Sequence, residues 1–213
     1  MKRIAIVGAG GFGQEVYCIW RDMLNYEQVS FEFVGFFDDN GSLTGNNFGE
    51  VVGGIDSLNS VDYPLDVAIG IGSPKILHSV RNRINNLNIK FPNIIHPSVQ
   101  FLDSETTVLG EGNILSLDVI FSCNCQVGDF NIFNTRTTLG HDDVVGDFNV
   151  FSPNVQISGS VVIGNDNFWG FNSGILQGKQ VGEFNTIGAG AILLRSVKDA
   201  GTYIGVPAVR MKF

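Results

Sequence analysis

Residues 127–149 read VGDFNIFNTRTTLGHDDVVGDFN, and two periods are superimposed in them. An apolar side chain recurs every sixth residue, at Val127, Phe133, Leu139 and Val145, while the unit Val-Gly-Asp-Phe-Asn recurs after eighteen. Outward from this stretch the six-residue phase runs unbroken over fifteen positions, from Leu109 to Leu193. The longer unit returns in variant form at Leu109–Asn113, Ile163–Asn167 and Val181–Asn185. Six is neither a helix nor a strand period. Three hexads therefore make one coil of a triangular parallel β-helix, each hexad giving a short strand and a corner, with the sixth-residue side chains stacked inside. At a sheet spacing of roughly 4.8 Å, about five coils make a prism of roughly 24 Å. Where a glycine follows the apolar residue, as Gly128 follows Val127, it is expected to supply the positive φ of a tight corner, and the asparagine three residues later to tolerate left-handed geometry. An ordinary sandwich of short strands would not hold one phase over so long a run.

The chain has 213 residues, 44% hydrophobic and 16% charged, enough for one large or two small domains. Its formal net charge of -8 leaves no basic patch, so nucleic acid is not expected as a partner. The apolar run Ile4–Val7 is too short for a signal peptide or a membrane span, which makes a cytoplasmic protein the expectation. Cys123 and Cys125 have no second Cys or His pair at ligand spacing, so no metal is expected. Cys125 falls at the inward hexad position, where a thiol serves as a small hydrophobe.

Before the repeat, strands alternate with helices. An apolar strand over residues 2–7 leads into Gly8-Ala-Gly10-Gly-Phe-Gly13 and a helix from Gln14 to Leu24. A strand over Phe31–Phe37 ends at Asp38-Asp39-Asn40-Gly41, and another spans Leu65–Ile71. Ser73 and Pro74 open a helix to about Asn86, and Lys90–Ile95 reads as a fourth strand. The expected division is a small Rossmann-like parallel sheet over 1–93, the β-helix over 94–195, and a cap over 196–213. The Gly8-x-Gly10-x-x-Gly13 turn occupies the place of a dinucleotide fingerprint. A nicotinamide enzyme, however, needs more than half of a doubly wound fold and a separate substrate domain.

The hexads, aliphatic then Gly and later a small residue, resemble those of the left-handed β-helix acyltransferases, as does the tail Tyr203-Ile-Gly-Val-Pro-Ala-Val-Arg210. The left hand comes from this resemblance, since spacing fixes only the period. The whole chain resembles one branch, the bacterial sugar acetyltransferases that N-acetylate a nucleotide-linked 4-amino sugar, with sialic acid O-acetyltransferase relatives. The resemblance implies acetyl-CoA as cosubstrate, a homotrimer, and a sugar nucleotide held by Gly10, Gly11, Phe12, Asp38, Asp39, Gly72 and Lys75. Phe12 stands where amino-sugar members often have His. It also implies Val150, Gly159, Phe171 and Ala189 along acetyl-CoA, the Gly159 N–H serving as oxyanion donor. Phe130, Phe148, Phe168 and Phe184 lie off the interior hexad position, and burial between subunits is expected to cover them.

Three histidines are present. His78 lies within a helix and His96 precedes Pro97 at the domain junction, so both read as packing or surface groups. His141, two residues past an inward position, is either solvated or the base that takes a proton as an amine attacks a thioester. The resemblance selects the second reading, with Asp142 beside it to fix the tautomer and Asn134 as a third catalytic-segment residue. No Ser or Cys stands beside a base, so direct attack without an acyl-enzyme is expected. O-acetylation of a sugar hydroxyl is the alternative reaction, and a non-catalytic β-helix binding protein the alternative class. Asp143 and Lys179 fall at inward positions, where a charge is costly unless paired.

Overall fold

The computed structural model describes residues 1–211, in two compact units, one over 1–97 and the other beginning at residue 98. The first unit contains strands β1 (Lys2–Val7), β2 (Phe31–Phe37), β3 (Gly45–Asn46), β4 (Gly49–Gly53), β5 (Leu65–Ile69), β6 (Ile89–Lys90) and β7 (Ile94–Ile95), and helices α1 (Gly11–Tyr26) and α2 (Pro74–Arg83). Its sheet runs β3-β4-β2-β1-β5-β6. Every pairing is parallel except β3 with β4. Ile4, Ala5, Ile6 and Val7 are fully buried, as the continuous apolar run of a central parallel strand requires. Helix α1 lays Val16, Ile19, Trp20 and Leu24 on one buried face, three or four residues apart.

Several boundaries differ from the sequence reading. The strand expected over Lys90–Ile95 is two short strands, because Pro92 lies between them and has no N–H to give a ladder. Helix α2 stops at Arg83, short of Asn86. The Asn86 side chain instead donates to the Leu58 and Val61 carbonyls at 2.9 and 2.7 Å, holding that segment outside the helix. Strand β5 ends at Ile69, α1 starts three residues earlier than expected, and the β3–β4 hairpin was not foreseen.

In the second unit each hexad supplies a two-residue strand, and away from the two ends of the prism each is paired in parallel with the strands eighteen residues before and after it. Fourteen of the fifteen hexad residues are buried, and only Leu109, on the first coil, is partly exposed. Phe133, Phe151 and Trp169 stack along one interior column, with centroids 4.8 and 5.8 Å apart. Such pairs add about 0.5–1.5 kcal/mol each beyond area burial. Of the cap expected over 196–213, Thr202–Ile204 adds a parallel strand beside Thr186–Ile187 and Val209–Arg210 an antiparallel one. Lys212 and Phe213 lie outside the described residues.

The corners correct the expectation for Gly and Asn. Positive φ falls on the third residue after the apolar one, as at Phe130 (54°), Arg136 (61°), Asp142 (60°) and Phe148 (57°), whereas Gly128 and Asn131 do not adopt it. Gly128 is required for space instead. A Cβ there would run into the Asp147 carboxylate and the backbone of Gly146, one coil on. The asparagines point inward as a buried ladder: Oδ1 of Asn113, Asn131, Asn149 and Asn167 each accepts the N–H of the next ladder Asn, at 2.8–3.0 Å. Aspartates of the same repeat bond the opposite way, Asp147 accepting the Asp129 N–H at 2.7 Å. The eighteen-residue period is thus the period of these side-chain bonds between coils, and each buried amide left unpaired would cost about 1–3 kcal/mol.

Candidate active site

His141 and Asp142 occupy the corner after the strand Thr138–Leu139. The αL backbone of Asp142, tolerable for a short polar side chain, turns its carboxylate back to the imidazole. His141 Nδ1 lies 2.7 Å from Asp142 Oδ2, and Asn124 Nδ2 donates to Asp142 Oδ1 at 2.9 Å. Those two bonds, His141 first, hold the Asp142 carboxyl below the usual carboxylate range. With Nδ1 committed to Asp142, Nε2 is the ring nitrogen left to accept a proton. Both side chains are about half exposed.

The imidazole lies over Gly159 of the next coil. A Cβ at 159 would be 2.6 Å from Nε2, 2.7 Å from Cε1 and 2.8 Å from Cδ2, so only glycine admits the ring in this position. Gly140 packs on the Gly159 backbone as closely. Among the described residues the Gly159 N–H has no acceptor, while the neighbouring Ser158 and Ser160 N–H groups donate to Ile175 and His141 carbonyls. A free donor therefore stands beside the base. Asn134 is one corner away, its amide donating to the Phe151 carbonyl at 3.1 Å and bonded to neither His141 nor Asp142. Of the remaining expected acetyl-CoA positions, Val150 is buried, and Phe171 and Ala189 are exposed. Asn124 was missed by the sequence reading, although it precedes Asp142 by one eighteen-residue coil.

The expected sugar-nucleotide residues all lie at the carboxyl ends of three adjacent strands, β1, β2 and β5. A Cβ on Gly10, Gly11 or Gly72 would meet nothing within 4 Å, so these backbones are open to a ligand. The N-cap of α1, Gly10, bears no side chain to cover the first-turn N–H groups of Gly11 and Phe12. Asp38 is partly engaged: Oδ2 accepts the Ala9 N–H and Oδ1 the Asn40 N–H, both at 2.8 Å, which fixes the glycine turn. Asp39 bonds Arg83 at 2.6 Å and the Ile55 N–H at 2.9 Å, and the Arg83 bond is the larger of the two influences holding its carboxyl low. Lys75 lies exposed in the first turn of α2. In the same unit His78 is on α2, and His96 Nε2 is 4.0 Å from Asp22.

Cys125 is inward and fully buried, as its register requires, and Asp143 is fully buried one coil above it. Lys179 of the same column is only partly buried. No group of three or more His, Cys, Asp or Glu suited to a metal occurs among the described residues, and no helix there is long and apolar enough to cross a membrane.

Residues 3–84 match the PglD N-terminal domain family. Over 99% of its length the chain is similar to the acetyltransferase domain of PglB from Neisseria gonorrhoeae FA1090 in complex with acetyl coenzyme A, at 28% identity and TM-score 0.87, covering 99% of that chain. WeeI from Acinetobacter baumannii AYE is similar at 25% identity and TM-score 0.82, over 99% of this chain and 100% of its own. PerB from Caulobacter crescentus, solved with CoA and GDP-perosamine, shares the fold at 24% identity and TM-score 0.83, over 100% of this chain and 98% of its own. The resemblance to sugar acetyltransferases read from the hexads and the glycine turn is borne out across both units.

Proposed function

We propose that this chain is an acetyl-CoA-dependent N-acetyltransferase whose acceptor is the amino group of a nucleotide-linked sugar. The carrying observation is the His141–Asp142 pair laid over Gly159, within a chain that matches an acetyltransferase domain from end to end. The acceptor amine attacks the thioester carbonyl, its proton passes to His141 Nε2, and the carbon–sulfur bond breaks to release CoA thiolate. The Gly159 N–H stabilises the oxyanion of the tetrahedral intermediate. Asp142 holds the Nδ1–H tautomer and favours the imidazolium formed during attack.

On this reading residues 1–93 hold the sugar nucleotide, 94–195 carry the chemistry and 196–213 form the cap. Gly10, Gly11, Phe12, Gly72 and Lys75 meet the phosphates and sugar, with Asp38 and Asp39 shaping the pocket. Val150, Gly159, Phe171 and Ala189 follow the acetyl-CoA, and Asn134 supports the catalytic corner. The working form is a cytoplasmic homotrimer. Phe184, exposed and apolar, suits burial against a second copy. None of the reported neighbours favours O-acetylation. Acetyl-CoA consumption measured against nucleotide-linked 4-amino sugars and free sialic acids tests the reaction. Tight NADH binding without acetyl-CoA binding would overturn it. Sedimentation as three 23.1-kDa chains tests the assembly.

A further inference from the structure

The two oxygens of the buried Asp143 carboxyl are not equivalent. Oδ1 accepts the Val161 N–H at 2.8 Å, whereas Oδ2 is buried with no hydrogen-bond partner. Side chains at the same hexad position elsewhere reveal what faces that second oxygen. Asn113, Asn131 and Asn167 each donate an amide N–H to the carbonyl fifteen residues on, at 2.9, 2.8 and 2.9 Å. Cys125, next to Asp143 in its own column, sets Sγ 3.3 Å from the Gly140 carbonyl, again fifteen residues on. Fifteen residues after Asp143 comes Ser158. A carboxylate offers no donor to a carbonyl, whereas a carboxylic acid does.

We propose that Asp143 is carried as the neutral acid, its Oδ2–H donating to the Ser158 carbonyl, and that it acts as a positioning residue for His141. Ser158 and Val161 bracket Gly159, the residue beneath the imidazole. Bonds from one carboxyl to both therefore clamp that corner, and with it the surface on which the ring rests. The surroundings favour the acid. Burial pushes the Asp143 carboxyl up to about 7, against the Val161 and Gly140 backbone groups, which hold it down. Of the charged groups nearby, His141 favours ionisation and Asp142 opposes it. Cys125 stays a neutral thiol, burial raising it to about 11. Lys179 is two coils away, with Val161 between.

The positioning role rests on the acetyltransferase reading, but the protonation state does not. Infrared difference spectra of the whole protein between about pH 5 and about pH 9 should contain a carboxylic-acid carbonyl band that titrates away and is missing from Asp143→Asn. Wild-type protein without that band at the acid end overturns the neutral acid whatever its activity. Turnover tests the clamp. Asp143→Asn restores an amide donor and should keep kcat within about threefold. Asp143→Val, which takes the side chain of the next coil, should lose about 10- to 100-fold in kcat with KM for acetyl-CoA unchanged. If the Val variant does not fold, Asp143→Ala, which likewise offers no donor to the Ser158 carbonyl, replaces it. Equal kcat in the apolar and Asn variants overturns the positioning role.

Discussion

Gly159→Ala isolates the contact between one coil and the base on the next. The added methyl would lie 2.6–2.8 Å from three ring atoms of His141, roughly 1 Å inside ordinary contact. The Gly140 and Gly159 backbones are already packed together, so the ring, about half exposed, is what moves. Swinging outward lengthens the 2.7 Å bond to Asp142 and carries Nε2 by about 1 Å, a displacement that costs on the order of 100-fold in kcat. Stability should change little, because φ at Gly159 lies outside the left-handed region and Ala also lowers the entropy of the unfolded chain. Steady-state thiol release with saturating acetyl-CoA, beside a thermal melt, measures both quantities. A Gly159→Ala enzyme with kcat within about threefold of wild type would refute the placement of the ring.

His141→Ala should lower kcat by about 10²- to 10⁴-fold and leave acetyl-CoA affinity nearly unchanged, as calorimetry on the variant can test. Asn149→Ala removes the acceptor of both the Asn167 N–H and the Asn167 amide, and should lower urea stability by about 2–4 kcal/mol without changing the acetyl-CoA Kd. Stability should also fall as pH rises from about 4 to about 7. In that window the unfolded Asp143 is already ionised while the folded one keeps its proton, so stability present below the unfolded pKa is lost up to the folded one. Urea titrations across the range should show a decline of a few kcal/mol (~2–4) that Asp143→Asn abolishes.

The prism was legible because its core has only one way to be written, an apolar residue at every sixth position. The role of the glycines was not. Gly128 looks like a residue chosen for backbone freedom, but the demand on it is steric and comes from Gly146 and Asp147 on the next coil. Conversely, Phe130 and Phe148 hold the αL corners, which no local preference of phenylalanine predicts; closure of the coil imposes the angle, and their rings stack at 5.5 Å. The same distinction applies to the site. His141 and Asp142 are adjacent in sequence and were read together. Asn124 and Gly159, which complete the corner, are neighbours only across coils, and Asn124 becomes visible once the eighteen-residue offset is applied to side chains as well as strands. The β3–β4 hairpin escaped because β3 is only two residues long and β4, Gly-Glu-Val-Val-Gly, carries no apolar–polar alternation.

The two polar ladders also restrict how such a chain can change length. Removing six residues from the prism would leave every apolar side chain inside and every strand paired. Made between Asp143 and Gly159, the cut would also turn all later coils by one face, bringing Asn167 over the column of Cys125 and Asp143 and moving Gly159 out from under His141. Removing eighteen keeps every column in line. Lineages that lengthen or shorten this prism are therefore confined to whole-coil steps, even though its hydrophobic core alone would accept thirds.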